Sequence, residues 1–161
     1  MKVLRLTGVL VMIFALTACK TSKDTSDDSE SGDNTLTTQE MEISNIEMSS
    51  GFMLPKAIDP ITINSLKMVE GKEDILEIDV SYGGCGLHDF VLYGNRSYQK
   101  SLPPKLGLAL IHDAHGDKCK KQTNAKLYFN IKEIRYPDKD EDYVIVVYVN
   151  SNSGKSVDYK Y

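Results

Sequence analysis

Apolar residues recur at every second position through much of the chain beyond residue 60, the period of a strand with one buried face rather than of a helix. In ILEIDVSY (75–82), Leu76, Ile78, Val80 and Tyr82 fall on one face and Glu77, Asp79 and Ser81 on the other. KLGLALIH (105–112) aligns Leu106, Leu108, Leu110 and His112, and KLYFNIK (126–132) aligns Leu127, Phe129 and Ile131. DYVIVVYVN (142–150) is apolar on both faces, which predicts a central strand covered on both sides. Weaker alternation predicts strands at Met41–Met48, Ile61–Met68, His88–Tyr93 and Ser156–Tyr159. Turn signals separate them at Gly71, Gly83-Gly84, Gly94-Asn95, Pro103-Pro104, Pro137-Asp138 and Gly154. No window carries the 3.6-residue period of an amphipathic helix; HGDKCKKQTNAKL (115–127) has room for one short turn. About eight short strands with Gly and Pro punctuation predict an all-β domain, an antiparallel β-sandwich of immunoglobulin-like type, with a small β-barrel as the alternative. The doubly apolar strand, which needs cover on both faces, favours the sandwich.

The first residues obey a different rule. Lys2 and Arg5 precede an apolar run from Leu6 to Leu16, which is a secretory signal and too short for a spanning helix of about 20 residues. Leu16-Thr17-Ala18-Cys19 resembles the lipobox of bacterial lipoproteins. That resemblance implies cleavage before Cys19, acylation of its thiol and stable attachment to a lipid bilayer through more than one chain. The expected organisation is a signal peptide at 1–18, lipidated Cys19 with a disordered acidic Ser/Thr-rich tether at 19–38, and a single β domain at 39–161. Residues 20–38 hold too little apolar surface to offset the entropy of ordering them. Asp24, Asp27, Asp28 and Glu30 resemble the acidic export signals of some Bacteroidota surface lipoproteins, although Lys20 and Lys23 stand where such signals carry acid. The expected location is the bacterial cell envelope, on the outer membrane, facing either the periplasm or the exterior.

Composition then narrows the chemistry. A net charge of −4 gives nucleic acid no electrostatic footing. Export places Cys85 and Cys119, the two cysteines inside the domain, in an oxidising compartment where disulfides persist. Both lie in short loops that also hold all three histidines: SYGGCGLHDF (81–90) and HDAHGDKC (112–119). His88 shares strand parity with Phe90 and Leu92, and His112 with Leu110, so an antiparallel pairing of those strands would bring the two loops to one pole of the sandwich.

Two readings of that pole compete. The first is a Cys85–Cys119 disulfide, which closes a loop of about 34 residues and stabilises by about 4 kcal/mol in the chain-entropy model. The second is a zinc or copper site. Cys-x2-His with His-x6-Cys supplies four ligands if the thiols stay reduced. His88, His112 and His115, with Asp113 or Asp117, supply a set compatible with the bridge. Otherwise no cofactor is expected. Nucleophilic catalysis has little support, because no G-x-S-x-G elbow is present and His112 and Asp113, adjacent on a strand, point to opposite faces. DKDED (138–142) alternates carboxylates as calcium loops do but lacks the glycine at loop position six and the closing Glu, so it reads as a solvated turn.

VSYGGCGLHDF (80–90), PPKLGLALIHDAHGDKC (103–119) and KLYFNI (126–131) together resemble uncharacterised bacterial secreted lipoproteins with a GGCxxHxF … LxLxHD … C pattern. The resemblance marks Cys85, His88, His112, Asp113 and Cys119 and implies no activity. The reading is therefore a non-enzymatic, membrane-anchored, disulfide-stapled module for binding or envelope interactions, with a zinc- or copper-binding lipoprotein as the alternative.

Overall fold

A computed structural model describes residues 41–51, 59–137, 139, 142–151 and 153–161. The signal segment, Cys19, the acidic tether and most of DKDED lie outside the described residues. Among the described residues there are nine strands: β1 (Ile43–Asn45), β2 (Glu47–Met48), β3 (Thr62–Met68), β4 (Ile75–Gly83), β5 (Asp89–Gly94), β6 (Lys105–Asp113), β7 (Gln122–Asn130), β8 (Val144–Val149) and β9 (Ser156–Lys160). The only helical element among the described residues is one turn of 3₁₀-helix at Lys132–Ile134.

The strands form two sheets, in the orders β1-β7-β4-β3 and β2-β5-β6-β8-β9, packed face to face without closing into a barrel. The expected β-sandwich is thus present, and the barrel alternative is not. The pairing is mixed rather than wholly antiparallel. β3–β4, β4–β7, β5–β6 and β8–β9 are antiparallel, while β1–β7, β2–β5 and β6–β8 are parallel. Parallel neighbours need a long crossover. Between β6 and β8 that crossover runs through the other sheet, by way of β7 and the 3₁₀ turn.

The alternation read from sequence decides which side chains meet between the sheets. Leu76, Ile78 and Val80 of β4 face Leu92, Leu106, Leu108, Leu110, Ile145 and Val147 of the second sheet, all nearly or wholly removed from water. On the outer face of β4, Glu77 stays buried because Lys67 and Lys126 reach over it at 3.3 and 3.5 Å. The doubly covered strand is β6, with an unbroken buried run from Leu108 to His112. In β8 only Ile145, Val147 and Val149 are fully buried, while Val144, Val146 and Tyr148 are half-covered. Gly107 explains part of that cover, since the Tyr148 ring lies where a Cβ at 107 would stand.

The N-terminal strap serves both sheets. β1 runs alongside β7, Ile46 turns into the core, and β2 runs alongside β5. At the end where β4 begins, the buried Asp74 carboxylate accepts two hydrogen bonds from Arg135 Nη2 at 2.7 and 2.9 Å and one from Nε at 3.0 Å, and another from the Tyr159 hydroxyl. Asp74 has φ +62°, a conformation that Asp tolerates better than most residues. The opposite end, where β4 stops, is the pole that holds the cysteines and histidines.

Candidate functional site

Two connections build this pole: residues 84–88 between β4 and β5, and residues 114–121 between β6 and β7. The antiparallel register of β5 and β6 sets Phe90 opposite His112 and Asp89 opposite Asp113. That register brings the start of β5 beside the end of β6, as the strand parity requires. The loops are joined by a Cys85–Cys119 disulfide with the Cα atoms 5.7 Å apart.

Asp117 ties both loops a second time. Its Oδ2 accepts the backbone N–H of Cys85 at 2.7 Å and of Gly86 at 2.9 Å, and its Oδ1 accepts the N–H of Cys119 at 2.7 Å. Hydrogen bonds to an ionised acceptor are the strong kind. The amides of Cys85, Cys119 and Gly86, in that order, and then the His88 ring hold the Asp117 carboxyl well below the usual carboxylate range. Backbone bonds complete the seam, from Gly84 N to Lys121 O at 2.9 Å and from Thr123 Oγ1 to Gly84 O at 2.9 Å.

Beneath this seam lie two histidines. His88 Nδ1 and His112 Nε2 are 2.7 Å apart, with ring planes inclined by 14°. The outer nitrogen of His112, Nδ1, donates to the Pro60 carbonyl at 3.1 Å, and the outer nitrogen of His88, Nε2, stands 3.3 Å from Asp117 Oδ2. Tyr82 packs its ring against both, with centroids 4.8 and 5.1 Å away, and Phe90 stacks on His112 at 5.0 Å. The His88 side chain is 1% exposed and His112 likewise 1%. Gly84 makes that packing possible, since a Cβ there would collide with the His88 ring.

The third histidine is separate from the pair. His115 is exposed at φ +50°, its ring nitrogen Nε2 2.9 Å from Asp89 Oδ2 and its amide donated to Asp113 Oδ1 at 2.8 Å. Among the described residues no group of three or more His, Cys, Asp or Glu is disposed to hold a metal ion. The set His88, His112 and His115 considered for zinc or copper is therefore not assembled. His88 Nδ1 and His112 Nε2, 2.7 Å apart, bond to each other, and the His115 ring is engaged by Asp89. The alternative four-ligand set loses both thiols to the bridge.

Asp117 proves to be the organising residue, although its sequence neighbourhood offered it only as a metal partner. The legible signal was its place two residues before Cys119, the spacing of an Asx turn. The same two loops carry Leu87, 91% exposed, and the exposed Lys118, Lys120 and Lys121, none in an ion pair among the described residues. Beside them opens a groove of about 410 Å³ with Pro60, Ile61 and Tyr82 in its wall and Lys120 at its rim.

No protein-family model and no curated protein matches the chain. Among the solved structures similar to it in part are two from Bacteroides and Parabacteroides. A NigD-like immunity protein from Bacteroides caccae is 14% identical with a TM-score of 0.49, the match covering 73% of this chain and 57% of that one. A protein from Parabacteroides distasonis described as toxin-related is 19% identical with a TM-score of 0.48, covering 75% and 61%. The chain thus spans about three fifths of the length of either.

Proposed function

We propose that this is a lipid-anchored protein of the bacterial cell envelope that binds a partner, without catalysis, through the disulfide pole of its β-sandwich. One observation carries the reading. The groups with chemical potential, His88 and His112, are sealed from solvent, and what faces water above them is a loop surface fixed by a disulfide and by three amide bonds to one carboxylate. A general base must come within hydrogen-bond reach of its substrate, which sealed rings do not. A fixed surface, by contrast, loses little conformational entropy on binding. Leu87 supplies an apolar contact, and Lys118, Lys120 and Lys121 select an acidic partner by charge.

The test has two arms. Cys19→Ser should move the protein from the membrane to the soluble fraction and abolish acyl labelling; membrane retention with unchanged labelling refutes the anchor. For the pole, a Leu87→Asp, Lys120→Glu, Lys121→Glu variant with unaltered melting temperature should lose an envelope protein that the wild type retains after cross-linking. Identical cross-linked products from both proteins refute the docking surface.

A further inference from the structure

The docking surface does not depend on how many protons the buried rings hold. A neutral imidazole carries one N–H and one lone pair, so two neutral rings hold two ring protons among four nitrogens. His112 Nδ1 faces the Pro60 carbonyl, which only accepts, so that nitrogen carries a proton. His88 Nε2 faces Asp117 Oδ2, and this carboxylate also accepts two amide N–H groups on the same oxygen, so His88 Nε2 carries a proton as well. The inner nitrogens, 2.7 Å apart, need one more between them. The total is three.

We infer that His88 and His112 share one positive charge, balanced by Asp117, and that the pair is a proton-operated latch: loss of the third proton releases the disulfide loops from the carboxylate that binds them. With only two protons, one of the three contacts must set a lone pair against a lone pair or against an acceptor, beside two ring side chains that are each 1% exposed. The contact free to break is the outermost, His88 to Asp117, which is the longest of the three at 3.3 Å. Asp117 then lacks the cation that compensates its charge, and its hold on the Cys85, Gly86 and Cys119 amides loosens.

The other charged and titratable groups around the pair are accounted for. Tyr82 presents its ring from β4. The Asp59 carboxylate is engaged by the Ala114 amide at 2.8 Å, and Asp89 and Asp113 serve His115. Glu42 and Lys126 line the opening beside His88, where Lys126 is paired with Glu77. Among the described residues, Asp117 is the one carboxylate with a hydrogen bond or ion pair to either ring of the pair.

The experiment uses the full chain with the disulfide intact and reads the histidine ring nitrogens by ¹⁵N NMR over a pH series, His115 being identified from a His115→Gln variant. The pair should pass from three ring protons to two in a single shared step. In that step the amide protons of Cys85, Gly86 and Cys119 should begin to exchange about tenfold faster per pH unit than hydroxide catalysis alone explains, one proton being linked to opening. His88→Gln, which can still donate and accept, should abolish the step in amide exchange. Two rings that titrate independently, or amides that follow hydroxide catalysis alone through the transition, overturn the inference. Should His88→Gln not fold, the ring-proton count in the wild type decides alone.

Discussion

Replacing both bridged cysteines, Cys85→Ser with Cys119→Ser, tests how much of the pole depends on the covalent bond. The bridge closes a loop of 34 residues, and the chain-entropy model assigns about 4 kcal/mol to that closure. A domain of this size loses about 0.25 kcal/mol/K of entropy on folding, so the melting temperature should fall by about 15 °C. The variant should still fold, because net stability of such domains is about 5–15 kcal/mol and Asp117 continues to tie the two loops through Cys85, Gly86 and Cys119 amides. The assay is urea denaturation followed by far-ultraviolet circular dichroism, with wild type reduced by a dithiol as a second route to the same state. Both routes should agree within about 1 kcal/mol. The denaturant slope should be steeper without the bridge, since the unfolded chain exposes more surface. A loss below about 1 kcal/mol, with an unchanged slope, would refute the claim that the bridge acts by restricting the unfolded chain.

Three further outcomes follow from the same geometry. Because the Asp117 carboxyl is held below its ordinary value, its contribution is fully present above about pH 4 and is lost as the pH falls toward the lowered value; the stability gap between wild type and Asp117→Asn should shrink in acid, and a gap constant down to pH 2 contradicts this. Gly84→Ala drives a Cβ into the buried His88 ring and should cost about 1–3 kcal/mol while removing the His88–His112 hydrogen bond from the NMR spectrum; an unchanged ring spectrum would disprove the contact. Asp74→Ala strands a guanidinium that is one-third exposed and a Tyr159 hydroxyl that is wholly buried, and should cost about 3 kcal/mol by thermal unfolding; a loss under 1 kcal/mol would mean the ion pair is decorative.

Strand period made most of the sandwich legible, because a half-buried strand writes its inner face directly into the sequence. The alternation of β4 and β6 names their buried residues one by one, and the parity of His88 and His112 places both at one pole. The limits were equally physical. β8 is apolar on both faces yet only half-covered on its outer one, and its own Tyr148 ring covers β6 at Gly107, so β6, whose outer face carries the small Gly107 and Ala109, is the strand enclosed on both sides. Parallel pairing of the strap with β7 and β5 depends on partners distant in sequence, and no local signal records it. Pro60 receives the His112 proton from another segment altogether, so the pair's proton count could not be made from the two loops alone.

The strap at Ile43–Met48 has a consequence for assembly. It is synthesised before β5 and β7, yet its two short strands complete both sheets only once those strands exist. Once those strands form, and until the strap docks, the flanks of β5 and β7 are open to any chain that offers the same six residues, and another copy of the protein offers them identically. Open flanks before the strap docks therefore make exchange of straps between copies the misassembly expected of this fold, with crowding of chains the condition that favours it.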